Sequence, residues 1–142
     1  MTEILVVTHG QLGKAFIETA GMISGYTSEV KAIGFFPGQG IEDLEEAVRT
    51  TLFNINETHN ILCLVDIPGG SPARVVTGMV AEKSSLQVVS GVNLAMLVEV
   101  LLMKDSMDIE QLAEHARRSA CESVLNLGTI FRKEFSQQSE KV

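Results

Sequence analysis

The sequence predicts an α/β fold: a single doubly wound domain with a mainly parallel four-stranded sheet flanked by helices. Three observations carry this. Short aliphatic runs alternate with longer segments of helical periodicity from the first residues onward. The clearest run, Asn60–Val65, is continuously apolar after its first residue, as a strand covered on both faces should be. No Pro- or Ser-rich linker and no internal repeat breaks the 142 residues, a length suited to one domain with a sizeable core.

Taken in order, Ile4–Thr8 is the first strand. Leu12–Ile23 is a helix with Leu12, Phe16, Ile17, Ala20 and Ile23 on one face and Gly25 as its C-terminal cap. Val30–Phe35 is the second strand, ended by Phe36-Pro37-Gly38-Gln39-Gly40. Ile41–Phe53 is a helix with Leu44, Val48 and Leu52 inward and Glu42, Glu45, Glu46 and Arg49 in solvent. Asn60–Val65 is the third strand. Ser71–Ala81 is a helix with Ser71 as its N-cap and Pro72 at its first position. Leu86–Val89 is a short fourth strand. Asn93–Met103 and Ile109–Ala120 are helices, the second with Ile109, Leu112, Ala113, Ala116 and Ala120 in a stripe. Ser123–Leu127 reads either as a fifth strand or as a continuing helix. Residues 1–130 are expected to form the domain and 131–142 a polar tail, frayed or loosely helical from Arg132.

Composition narrows the function classes. Hydrophobic residues make up 45% and charged residues 20%, too apolar overall for disorder and too charged for a membrane protein. The formal net charge of −7 speaks against nucleic-acid binding, which needs basic patches. Cys63 and Cys121 are far apart with no C-x-x-C, so they read as small hydrophobes rather than a zinc or redox motif. Met1-Thr2-Glu3 runs straight into a strand without a signal-peptide pattern. The apolar stretch Leu94–Met103 is too short to cross a bilayer and carries Glu99, so a cytoplasmic location is expected.

The candidate site lies where two strands end. His9 follows Ile4-Leu5-Val6-Val7-Thr8 and precedes Gly10, placing an imidazole at the carboxyl edge of the sheet, where open α/β folds bind ligands. Asp66 follows Leu62-Cys63-Leu64-Val65 and precedes Ile67-Pro68-Gly69-Gly70-Ser71-Pro72, a glycine-rich turn opening a helix. Taken alone, a strand-end histidine is ordinarily a hydrogen-bonded surface group, an aspartate there a turn cap, and a Gly-Gly-Ser-Pro turn merely a capped helix. Together they point to phosphoryl chemistry. The first and third strands of a doubly wound sheet are often neighbours, so Asp66 is placed to fix the imidazole tautomer and leave the other nitrogen free to attack. Thr8, Gly10, Gly69, Gly70 and Ser71 are the candidate phosphoryl-binding residues, through hydroxyls and N–H groups at helix N-termini.

Competing motifs fail. Gly10-Gln11-Leu12-Gly13-Lys14-Ala15 has the wrong glycine spacing for a P-loop, and Ala15 stands where Ser or Thr is required. Gly38-Gln39-Gly40 lacks the third glycine of a dinucleotide fingerprint. His59 and His115 have polar neighbours and read as solvated. No carboxylate pair stands at a strand end to hold Mg²⁺, so neither metal nor cofactor is called for.

The ordered combination resembles the IIA component of the mannose family (mannose/fructose/sorbose type) of the bacterial phosphoenolpyruvate-dependent sugar phosphotransferase system. It is carried by Thr8-His9-Gly10, the Phe36-Pro37-Gly38 turn, Val65-Asp66 with Gly69-Gly70-Ser71-Pro72, and Ser90-Gly91-Val92-Asn93-Leu94-Ala95-Met96-Leu97-Val98-Glu99. The resemblance implies that His9 is the phosphorylated histidine, Asp66 its partner and Ser71 the serine of the glycine turn. It implies a phosphotransferase component that takes a phosphoryl group from phospho-HPr and passes it to a IIB component, serving a membrane IIC/IID permease indirectly. It also implies a homodimer in which a late strand, Ser123–Leu127, is exchanged between subunits. Ile67-Pro68 replaces an aromatic residue that often precedes the glycines, and Ala73-Arg74 replaces Phe-Asn. Which sugar or sugar acid is served is not legible.

Three rival readings fit parts of the sequence. A receiver-like domain phosphorylated on Asp66 would need further carboxylates after the first strand, where Thr8-His9 stands. A flavodoxin-like module would need aromatic residues for flavin stacking, and the chain has one Tyr and no Trp. A regulatory IIA-like domain feeding no transporter is the third.

Overall fold

The computed structural model describes residues 1–25 and 30–140. Four strands form one sheet: β1 (Thr2–His9), β2 (Val30–Phe35), β3 (Asn60–Val65) and β4 (Leu86–Val89), in the order β2-β1-β3-β4 and all parallel. Successive side chains of a strand point to opposite faces. Ile4 and Val6 of β1 with Leu62 and Leu64 of β3 therefore pack against α1 (Leu12–Ser24), α4 (Leu94–Met103) and α5 (Ile109–Glu122). Leu5, Val7, Ile61, Cys63 and Val65 pack on the other face, against α2 (Ile41–Phe53) and α3 (Ser71–Gly78). This double coverage is why the central strands read as unbroken apolar runs. The alternation of strand and helix thus yields the expected doubly wound sheet.

The strand order matters for function. From β1 the chain moves outward to β2, then returns across β1 to β3 and continues to β4. The loops after β1 and β3 therefore diverge to opposite faces and open a crevice between them, the usual ligand position of such sheets. His9 ends β1, and Asp66 directly follows β3.

Several local expectations change. The face of α1 that meets the body runs through Gly13, Phe16, Ile17 and Ala20, leaving Leu12 and Ile23 exposed. The helix expected over Ser71–Ala81 stops at Gly78, and a 3₁₀ turn follows over Val80–Glu82. Glycine is a weak helix former, which suits the break. Gly70, not Ser71, is the N-cap of α3, so Ser71 and Pro72 fill its first two positions and the Ser71 side chain makes no capping hydrogen bond.

The late segment differs most. Residues 124–126 form no strand within the chain, and α6 (Leu127–Glu140) follows. The Asn126 side-chain oxygen accepts from the Thr129 N–H at 3.1 Å, a capping interaction that starts the helix. Leu127, Ile130, Phe131 and Phe135 recur at helical rather than alternating spacing. The boundary expected at residue 130 falls inside this helix, and the last two residues of the expected tail lie outside the described residues. No described helix is long and apolar enough to cross a membrane.

Candidate functional site

The parallel pairing of β1 with β3 sets Val7 opposite Val65. One residue beyond β3 and two beyond Val7, Asp66 and His9 meet. A single carboxylate oxygen, Oδ2, accepts from the His9 backbone N–H at 2.9 Å and lies 2.7 Å from Nδ1 of its ring. The second oxygen, Oδ1, accepts from the Ile67 N–H at 2.9 Å. Partial burial pushes the Asp66 carboxyl upward. The His9 backbone N–H, its imidazole and the Ile67 N–H together outweigh that effect and hold the group below its ordinary range. An ionised Asp66 assigns the shared proton to Nδ1, leaving Nε2 of a neutral ring with its lone pair. The Asp66 side chain is 11% exposed, whereas that of His9 is 47% exposed. The carboxylate is thus held below the surface and the imidazole presented on it.

Two glycines shape this presentation. Gly70 lies close against the ring: a Cβ there would stand 2.7 Å from His9 Cε1, closer than real Cβ contacts come. At Gly10 the backbone has φ +55°, the left-handed region that favours glycine. Its N–H donates to the Phe35 carbonyl at 2.8 Å, tying the loop after β1 to β2. The Phe35 ring stands edge-on to the imidazole with centroids 6.2 Å apart.

The expected phosphoryl-binding set divides accordingly. Thr8 is fully buried, and its hydroxyl accepts from the Gly13 N–H at 2.8 Å, so it anchors the start of α1 beneath the site. Gly10 uses its N–H within the fold. Both residues thus shape the site from within the fold. Gly69 and Gly70 form the turn entering α3, beside His9, and Ser71 is the helix's first residue; the Gly70 N–H donates to the Ile67 carbonyl at 3.2 Å, whereas the Ser71 N–H, at the helix start, lacks an intrahelical acceptor.

The Ile67 N–H on Asp66 is the turn cap expected of an aspartate there, but sequence reasoning did not anticipate the edge-on Phe35 or the close approach of Gly70. It also missed Gly34, where a Cβ would collide with the Gly10 carbonyl oxygen and the Phe36 ring. The signal for Gly34 was available, because glycine inside a strand marks close backbone approach. His59 and His115, expected to be solvated, are instead partly buried, on Glu3 at 3.0 Å and Glu99 at 3.1 Å. Cys63 is buried in β3, which pushes its thiol pKa up, and Cys121 is exposed. Among the described residues no cluster of three His, Cys, Asp or Glu side chains is arranged to hold a metal.

Comparison with known proteins agrees with this architecture. The family model for the "PTS system fructose IIA component" matches residues 3–117. The chain is 33% identical over 123 residues to the fructose-specific EIIA component of Bacillus subtilis (strain 168), covering 87% of this chain and 84% of that protein. It is 37% identical over 102 residues to the mannose-specific EIIAB component of Escherichia coli (strain K12), covering 72% of this chain but 32% of that longer protein. Among solved structures, the phosphotransferase system component EIIA from Streptococcus agalactiae superposes with a TM-score of 0.82 at 26% identity, covering 91% of this chain and 99% of that one. A family match across most of the chain, a relative similar over most of both lengths, and a shared fold converge: this protein belongs to the mannose-type family of phosphotransferase-system IIA components.

Proposed function

We propose that this protein is a phosphohistidine carrier of a sugar phosphotransferase system: His9 accepts a phosphoryl group from phospho-HPr and passes it to a IIB component. The observation that carries the reading is the His9–Asp66 pair, with Nδ1 hydrogen-bonded to a largely buried, anchored carboxylate and the ring exposed on the surface. Nε2 attacks the phosphorus of the donor's phosphoimidazolium. One N–P bond forms as the other breaks, and the donor leaves as neutral imidazole. His9 becomes a phosphoimidazolium with its proton still on Nδ1, and the Asp66 carboxylate stabilises the positive charge that develops on the ring. Transfer onward to IIB reverses these roles. Such an exchange needs positioning and charge stabilisation more than difficult bond chemistry. The Gly69 and Ser71 N–H groups at the entry to α3 supply donors for phosphoryl oxygens.

The receiver-like alternative is disfavoured by the same geometry. Both Asp66 oxygens already accept hydrogen bonds from His9 and Ile67, and the side chain is largely buried. The test is incubation with enzyme I, HPr and phosphoenolpyruvate, followed by peptide mapping. A single acid-labile, base-stable phosphoryl group on the peptide holding His9 is expected. A hydroxylamine-labile adduct on Asp66 would overturn the assignment.

The proposal includes a homodimer. Val124, Leu125, Leu127, Ile130, Phe131 and Phe135 are all exposed, an apolar series that a second copy would cover. Strand β4 stands at one edge of the sheet, with an open side available to residues 124–126 of that copy, which belong to no helix. Sedimentation equilibrium should give a dimer, and truncation after residue 122 should give a monomer.

A further inference from the structure

Direct transfer between two imidazoles requires both rings to approach one phosphorus, so whatever stands beside Nε2 is covered when the partner docks. Two exposed apolar residues belong to the loops on either side of His9, Phe36 after β2 and Ile67 after β3, the two strands that flank β1. Ile67 follows Asp66, and its Cγ1 and Cδ1 would lie 3.0 and 3.4 Å from a Cβ on Gly70, the residue whose face also meets the His9 ring. Its side chain is nevertheless turned outward, the residue being 59% exposed. Phe36 lies on the other flank, against Gly34, whose backbone adjoins the Gly10 carbonyl, and it is 40% exposed.

Both residues immediately precede a proline, Pro37 and Pro68. Proline restricts the backbone of the residue before it, so each apolar group is held out with less freedom left to lose on binding. The two rest on rigid neighbours: Ile67 accepts from the Gly70 N–H at 3.2 Å, and the Phe36 N–H donates to the Gln39 side chain at 2.8 Å. A small phosphoryl donor would meet the exposed ring without needing to cover either group. A folded protein with an apolar patch around its own phosphohistidine would bury both.

We propose that Phe36 and Ile67 form an apolar bracket on either side of His9 that seats the protein exchanging the phosphoryl group, and that they set which protein donor is used. This rests on His9 being the acceptor, as proposed above.

The test compares two donors: phospho-HPr, and phosphoramidate as a small donor that needs no docking surface. Initial rates of His9 phosphorylation are measured for the unmodified chain, Phe36→Ala, Ile67→Ala, the double variant and the conservative Phe36→Leu. With phospho-HPr, kcat/KM should fall about tenfold for each alanine variant, mainly through KM, as for truncated interface anchors. Phe36→Leu should recover most of the loss. The loss with phospho-HPr should exceed the loss with phosphoramidate at least fivefold, on the order of 1 kcal/mol of docking energy lost with the protein donor only. Equal losses with both donors would overturn the bracket, because the residues would then act on the His9 geometry. Undiminished transfer from phospho-HPr would overturn it as well. Failure of the unmodified chain to accept from either donor would overturn the carrier reading and the bracket with it.

Discussion

The same two strands carry a histidine–carboxylate pair at each end. At the carboxyl end, His9 of β1 meets Asp66 after β3 with Nδ1 2.7 Å from oxygen. At the amino end the residues are exchanged between strands: Glu3 of β1 meets His59, just before β3, with Nδ1 3.0 Å from oxygen. Near-identical pairing therefore does not make a site. What differs is the surroundings. The His9 ring is 47% exposed and faces loops that lead into the N-termini of α1 and α3, whereas the His59 side chain is 21% exposed. Helix N-termini bring N–H donors and partial positive charge to an anion, and at the other end of a parallel sheet the helices present carbonyls. Glu3 is also drawn toward Lys31 at 3.9 Å, while Asp66 is held by backbone N–H groups that cannot move away.

The largest expected contrast is the loss of each imidazole. His9→Ala should abolish phosphoryl acceptance, while His59→Ala should retain it within about twofold and lower stability by no more than about 1 kcal/mol. Intact mass after phosphorylation and a denaturation curve check both halves. Next comes the carboxylate. Asp66→Asn should fold but slow transfer by about 10²-fold or more, because the ring loses both its tautomer partner and the balancing charge. Glu3→Gln should leave the rate nearly unchanged, as rapid-quench measurements from phospho-HPr would show.

Gly70→Ala should follow, slowing transfer by about tenfold as the methyl group displaces the imidazole, with the far-UV spectrum unchanged. Acid titration gives a smaller effect. Asp66 has its folded-state pKa depressed, so the stability it contributes is present above the unfolded carboxyl value, ~3.9, and is lost as pH falls through the folded value. Asp66→Asn should flatten the acid limb of a stability–pH curve, a change that disappears if His9 and Ile67 do not hold the carboxylate. Thr8→Val acts beneath the site by leaving the buried Gly13 N–H without its acceptor, and should cost about 1–3 kcal/mol in chemical denaturation with little effect on transfer chemistry.

Much of this organisation was legible because burial on both faces leaves a strong trace in sequence. Ile61-Leu62-Cys63-Leu64-Val65, short and bounded by turn residues, reads as a covered strand, and a polar residue directly after such a strand falls at the sheet edge. His9 and Asp66 were found for that reason, and the β1–β3 adjacency follows from the usual order of doubly wound sheets. Roles that depend on side-chain direction were less legible. Thr8 sits beside His9 in sequence, yet strand alternation turns it inward onto Gly13. Ser71 looks like a cap, but the extended backbone at Gly70 starts the helix one residue earlier. The close packing of Gly70 on the ring joins residues 61 positions apart and leaves no local pattern. The end of the chain was ambiguous because Val124 and Leu125 suit a strand, while the capping Asn126 and the spacing of the following apolar residues suit a helix.

The most direct test of the central claim is nitrogen-15 NMR of the chain phosphorylated through enzyme I and HPr, resolving which imidazole nitrogen bears phosphorus. The account predicts one phosphoryl group on Nε2 of His9, with the proton retained on Nδ1 beside Asp66. Phosphorus on Nδ1 of His9, on His59 or on Asp66 would contradict it.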